Sequence, residues 1–169
     1  LIVGTLFATG MYFIKRDSVD GRLLIWKITT QAIADSPWGV EGGKTFSAFY
    51  GDVQERYFTD CKYSDSEAWV AGTPDFAFNE YLQIAVEYGV WGSVLFVTVL
   101  LMLLKIAGNC KHLAGMGGCL VSLMVFACFS YPIHIPAIVS IWSLVVIVLC
   151  GEGLVMMKYR LIPKIVLLD

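Results

Sequence analysis

Charge is what this sequence of 169 residues has least of. Charged residues make up 15% and apolar residues 57%, and the mean hydropathy is +0.71. A soluble domain carries about 25% charge and about half apolar residues, so an ordinary cytosolic globule is excluded. No excess of positive charge is present either: the net charge is -2, which excludes a nucleic-acid binder held by basic patches. Between Leu113 and Gly151, 39 residues contain no Asp, Glu, Lys or Arg. That is room for two membrane crossings of about 18–20 residues each. No C-x-x-C pair and no N-x-[ST] sequon occurs. The cysteines are Cys61, Cys110, Cys119, Cys128 and Cys150, four of them in or beside apolar runs. Free thiols are therefore expected, with no disulfide framework and no zinc site.

What charge there is clusters. Eighteen of the 26 charged residues lie between Lys15 and Glu80, 7 basic and 11 acidic. The chain opens without Met inside an apolar run, Leu1 to Ile14. A signal peptide would start with Met and a basic region and end in small residues. The run ends instead in Met-Tyr-Phe-Ile-Lys-Arg, so residues 1–14 are read as the second half of a membrane helix. On that reading the chain is the C-terminal part of a larger membrane protein. Residues 15–77 form an ordered extramembrane loop with a short helix from about Gly21 to Ala34. Asp20 is its expected N-cap, and Asp35-Ser36-Pro37 its end. Membrane helices follow at 78–105, 113–131 and 136–157, then a tail at 158–169. The fold class expected is thus an all-α polytopic membrane protein with about four transmembrane helices here and one large extracytoplasmic loop. Lys and Arg in short loops mark the cytoplasmic side. Lys105, Lys111, Lys158, Arg160 and Lys164 are then cytoplasmic, and the 15–77 loop and the Tyr131–Pro136 turn face outward. Lys15 and Arg16 break that rule. Ala114, Gly118 and Ser122 recur every four residues, the spacing of close helix packing in lipid.

Few motifs carry chemistry. Gly43-Lys44-Thr45 has the end of a phosphate-binding loop but not its beginning: position 38 is Trp, where Gly is needed. An NTPase is rejected, and Gly39, Gly42 and Gly43 mark a turn or, less simply, a backbone cradle for an anion. Arg22 falls near the start of the expected helix, where backbone N–H groups favour anions. Its guanidinium suits bidentate capture of a diphosphate; the bland alternative is a surface pair with Asp17 or Asp20. Asn79, Glu80, Gln83 and Glu87 fall at about 0°, 100°, 40° and 80° on a helix. A polar stripe entering a membrane helix either faces a cavity or is solvated and inert at the headgroup boundary. Glu80 suits a base or a sugar-hydroxyl partner. His112 reads as structural. His134, in the outward turn, suits a general acid or base.

Taken in order, these segments resemble the O-antigen ligase and polymerase family. Asp20-Gly21-Arg22-Leu23-Leu24-Ile25-Trp26-Lys27 is similar to its "GR…W" signature. Pro37-Trp38-Gly39-Val40-Glu41-Gly42-Gly43-Lys44-Thr45-Phe46 looks like its Gly-rich loop, with Tyr50, Gln54, Tyr57 and Phe58 following. Asn79 through Gly92 is similar to its "H-N-x-Y-L…E-x-G-x-x-G" helix. Tyr131-Pro132 with His134-Ile135-Pro136 resembles the turn before its last span. The resemblance implies a GT-C-like enzyme of the bacterial inner membrane. It would take a glycan from an undecaprenyl-diphosphate-linked donor on the periplasmic face, without a cofactor or metal and with inversion. The acceptor would be the lipid A core or a second lipid-linked glycan. Arg22, Glu80 and His134 are the catalytic candidates. Lys15, Arg16, Trp26, Lys44, Asn79 and Gln83 are the substrate-binding ones. One departure stands out: many members have His where this chain has Phe78. A non-enzymatic transporter or exporter subunit is the rival reading, and a membrane scaffold with a soluble ectodomain the third.

Overall fold

The computed structural model describes residues 16–39, 45–60 and 63–166. The apolar run 1–14, Lys15, Gly42, Gly43, Lys44 and Cys61 lie outside these. All regular structure among the described residues is helical. The order is α1 (Arg16–Asp35), α2 (Phe46–Asp60), α3 (Asp65–Val70), α4 (Glu80–Glu87) and α5 (Gly89–Asn109). Then come α6 (Ala114–Ala127) and α7 (Pro136–Val166). Short 3-10 helices at Lys111–Leu113 and Pro132–His134 precede α6 and α7. The chain divides after Gly92 into two compact units.

The first unit is a helical cluster where the sequence led us to expect a loop with one short helix. Its core comes from helical spacing. Leu24, Ile28 and Ala32 of α1 are buried, as are Phe46, Tyr50, Val53 and Tyr57 of α2, with Ala77 and Val86 completing the cluster. Burying each large side chain of this kind is worth about 1.5–3 kcal/mol. Tyr50 stacks on Phe46 at 5.5 Å between ring centroids. Its burial pushes the phenol well above the usual tyrosine range, so it stays neutral. Helix α3 is short and has a complete capping box: Ser64 accepts from the Glu67 N–H, and Glu67 accepts from the Ser64 N–H.

Two boundaries differ from expectation. Helix α1 begins at Arg16, not Gly21, so Asp20 lies inside it and caps nothing. It ends at Asp35, one residue past the expected Ala34 and within the Asp35-Ser36-Pro37 stop. The helix expected over 78–105 is two helices, because the chain breaks between Glu87 and Gly89. There Gly89 takes φ +77 and Gly39 takes φ +95. Each sits against the other strand of backbone: a Cβ on Gly39 would lie 2.7 Å from the Gly89 nitrogen. A Cβ on Gly89 would lie 2.7 Å from the Trp38 carbonyl. The Val90 N–H donates to the Pro37 carbonyl at 2.9 Å across the same seam. Only glycine allows both the left-handed conformation and this approach.

The second unit holds most of α5 together with α6 and α7. Gly89–Asn109 and Pro136–Met156 are each long and apolar enough to cross a membrane. Leu95, Leu101, Leu144 and Ile147 are exposed along them. Helix α6 has 14 residues, about 21 Å of rise, against a hydrocarbon core of about 30 Å. Helix α7 runs past Met157 to Val166. Close packing occurs elsewhere than expected. Ala114, Gly118 and Ser122 are exposed, and nothing lies within 4 Å of a Cβ placed on Gly118. The tight approaches are at Gly153, whose Cβ would lie 2.9 Å from Ile106 Cδ1, and at Gly117, 3.2 Å from Ala107 Cβ. Phe96 stacks on Trp142 at 5.9 Å with the rings nearly parallel.

Gly39→Ala and Gly89→Ala should each lower the thermal unfolding midpoint of the purified protein, at a cost of about 2 kcal/mol or more. Gly51→Ala, in α2 with open space around it, should be neutral or stabilise by up to about 1 kcal/mol. Unchanged midpoints in the first two variants would refute the seam.

Candidate functional site

The strongest constellation lies where α1 meets the start of α4. Arg22 and Trp26 are one turn apart on α1 and face the 77–83 segment. The Trp26 indole Nε1–H donates to the Ala77 carbonyl at 3.0 Å. The Ala77 N–H donates to Gln83 Oε1 at 3.1 Å. Both polar groups of this fully buried residue are thereby held by side chains from two helices. Gln83 also donates from Nε2 to Glu87 Oε1 at 3.0 Å. Asn79 is the N-cap of α4, its Oδ1 accepting from the Leu82 N–H at 3.1 Å.

Phe78, between the clamped Ala77 and the capping Asn79, has φ +52. For a bulky side chain that conformation is an outlier, and such strain gathers at functional sites. The Arg22 guanidinium carbon lies over the Phe78 ring, 5.2 Å from its centroid, within cation–π range. Phe78 is thus strained and directly beneath the arginine.

Sequence reasoning chose Arg22 for a reason the structure overturns. Helix α1 starts at Arg16, so Arg22 lies in its second turn and not at the start of its own helix. What marks it is the ring of Phe78. The polar stripe is divided: Asn79 and Glu87 are half-buried, and its other two members are buried. Glu80 and Gln83 are buried at 1% and 2% exposure, and with Thr29 they are the buried polar side chains among the described residues. Trp26 and Gln83 were expected to touch substrate; here they hold the Ala77 peptide. At 1% exposure Glu80 meets no acceptor directly in this conformation. Its place at the first turn of α4 suits a carboxylate facing the positive end of the helix dipole. Arg16 opens α1, its side chain lying outside those described, as do Lys15 and Lys44. His134 is exposed and ends the 3-10 helix of the second unit.

A second feature of the first unit went unforeseen. An open groove of about 370 Å³ runs between α1 and α3, lined among others by Asp20, Lys27, Ser64, Ser66 and Glu67. Asp20, Leu23 and Lys27 lie on a different face of α1 from Arg22. Lys27 Nζ donates to Glu67 Oε1 at 2.6 Å and lies 5.2 Å from the Tyr57 ring centroid. The hydrogen bond to Glu67, then that to Tyr57, raises the Lys27 ammonium above its usual range. The hydrogen bond from Lys27, then that from the Ser64 backbone, lowers the Glu67 carboxyl. No signal short of the α1–α3 packing linked residues 40 apart.

The O-antigen ligase family model matches residues 3–97, more than half of the chain. The segment holds Arg22, Phe78, Asn79 and Glu80, and the chain belongs to the O-antigen ligase family. Members are membrane proteins, in keeping with the two long apolar helices. The chain is also similar to a Rickettsia bellii (strain RML369-C) protein named "Putative polysaccharide ligase". The two are 27% identical over 173 residues, which is 99% of this chain and 39% of that protein. The chain therefore spans about two fifths of that relative's length. No solved structure matches it significantly.

Two outcomes test this geometry. Gln83→Leu strands the buried Ala77 N–H and should cost about 1–3 kcal/mol, read as a lowered unfolding midpoint; an unchanged midpoint removes the clamp. The Glu67 carboxyl is depressed in the folded state, so its contribution is present above its unfolded pKa and lost as pH falls through the folded one. Lys27 is raised, so its contribution persists through neutral pH and is lost only at strongly alkaline pH. Because the pair faces solvent, Glu67→Gln should cost no more than about 1 kcal/mol at neutral pH and flatten the acid limb of the stability profile. An acid limb identical to that of the wild type would refute this.

Proposed function

We propose that this protein transfers glycan from an undecaprenyl-diphosphate-linked donor at the periplasmic face of the bacterial inner membrane, in surface-polysaccharide assembly. The single observation that carries the reading is Arg22 held over the strained Phe78 ring at the mouth of α4, within the family-matched segment. A guanidinium is planar and carries paired N–H donors whose spacing matches two phosphate oxygens. In the reaction an acceptor hydroxyl oxygen bonds to the anomeric carbon as the bond from that carbon to the diphosphate oxygen breaks. The electron pair leaves with the diphosphate, and the hydroxyl proton passes to a base. Arg22 offsets the charge that develops on the leaving group. Lys15, Arg16 and Lys44 are proposed to extend that positive field, and His134, in the second unit, is kept as a separate acid–base candidate whose role is tested on its own by His134→Ala. Asn79 and Glu80 set the start of α4, and Trp26 and Gln83 position Phe78 beneath the arginine. The acceptor is the lipid A core or a second lipid-linked glycan. The large segment around α1–α4 is proposed to face the periplasm, and the Lys105–Lys111 connection the cytoplasm.

One observation favours the exporter reading. Transporters bind substrate at discontinuous helices, and α4–α5 is discontinuous at Tyr88–Gly89. Transfer by the purified full-length protein in detergent, with no gradient present, separates the two.

Arg22→Ala, produced in a deletion strain and inserted at normal membrane levels, should reduce polysaccharide assembly by about 100-fold or more. Gel banding of the surface glycan reads it. Polymer accumulating on the lipid carrier would point to ligation, and survival of single repeats to polymerisation. Normal ladders in this variant would overturn the role given to Arg22.

A further inference from the structure

The second unit carries a cluster that the transfer reading does not use. Cys110 and His112 flank Lys111 in the connection between α5 and α6. Glu152 and Met156 lie one turn apart on α7. Cys110 begins the Lys111–Leu113 3-10 helix without capping it through its side chain. Its Sγ lies 3.6 Å from Met156 Sδ instead. His112 Nε2 lies 3.5 Å from Glu152 Oε1. The ligand-capable atoms of Cys110, His112 and Glu152 all fall within 4.8 Å of one another.

We propose that Cys110, His112 and Glu152 bind a zinc ion that clips the α5–α6 connection to α7. Bond lengths of about 2.0–2.3 Å place tetrahedral ligand atoms roughly 3.3–3.6 Å apart. The His112–Glu152 pair already has that spacing, and the Cys110 sulfur lies within 4.8 Å of both, within reach of side-chain rotation. The donor set chooses the ion. Calcium and magnesium take oxygen ligands, whereas zinc accepts sulfur, nitrogen and oxygen together. Copper(I) would favour the two sulfurs, so Met156 is the discriminator. Charge supports the choice as well. A thiolate, a carboxylate and a neutral imidazole bring two negative charges, and Zn²⁺ cancels them. A neutral site is the inexpensive one at the end of an apolar helix. Binding releases the Cys110 thiol proton to solvent. The sequence expectation of no zinc site rested on missing C-x-x-C pairs. The third ligand comes 40 residues after His112, on another helix, where spacing cannot reveal it.

The test uses full-length protein purified in detergent and stripped with chelator. Zinc is titrated against a chromophoric chelator, and cobalt(II) is added as the spectroscopic probe. One zinc per chain is expected, with thiolate-to-cobalt charge-transfer absorption that Cys110→Ser abolishes. His112→Ala, at an exposed side chain, and Glu152→Gln should each weaken zinc binding at least about tenfold. Cys150→Ser and Met156→Leu should leave affinity and spectrum unchanged. No stoichiometric zinc in the wild type would overturn the site. So would binding insensitive to Cys110→Ser and His112→Ala, or copper(I) binding that depends on Met156 in place of zinc binding.

Discussion

The peptide of Ala77 is the point on which the first unit turns. Its carbonyl is fixed by Trp26 from α1 and its N–H by Gln83 from α4. A buried peptide with both groups satisfied by side chains from two helices cannot rotate without stranding one of them, at about 1–3 kcal/mol each. That cost is comparable with the cost of a left-handed conformation at a bulky residue, about 1–3 kcal/mol. The clamp on one side and the Asn79 cap on the other therefore hold Phe78 at φ +52. The ring is carried under Arg22 as a consequence. The arginine's environment is thus set by hydrogen bonds it does not itself make.

The glycine seam does for α4 what the clamp does for the residues before it. Gly39 and Gly89 let the Pro37–Trp38 turn lie directly on the break between α4 and α5. Helix α4 is then tied at its start to α1 and at its end to the turn that follows α1. A helix of 8 residues is too short to be stable alone in water, and these two attachments keep it in place. The break also separates two environments. The buried polar face of α4 carries Glu80 and Gln83, while α5 exposes apolar residues along its length.

Much of this was legible in the sequence and some was not. Helical fold class, the apolar runs behind α5 and α7, and the end of α1 at Asp35 follow from composition, run length and a proline. Arg22 and the Asn79–Gln83 segment stood out through type and spacing. The helix break did not, because it depends on the close approach of Gly89 to the Pro37–Trp38 turn, a contact between residues 50 apart that no local pattern shows. Helix α2 was missed for a related reason: its buried positions include Tyr50 and Tyr57, aromatics with polar tips that dilute the 3.6-residue signal in a charged stretch. The Ala114–Gly118–Ser122 spacing predicted packing, yet small residues permit an approach without requiring one. The real contacts formed at Gly117 and Gly153. Ala77, which has no chemistry in its side chain, could not be singled out at all; its importance lies in its backbone.

The aromatic ring at position 78 limits what the arginine's neighbour can do. A histidine there could carry charge or a proton. A phenyl ring does neither, but its face attracts the guanidinium at about 0.5–2 kcal/mol depending on desolvation. That attraction is weak beside a bidentate bond to a diphosphate, where donor and acceptor are both charged. The ring therefore helps to fix the position of Arg22 beside the start of α4. Any proton transfer must then come from another residue. The buried carboxyl of Glu80, at 1% exposure, is ill placed for it without a movement of α4.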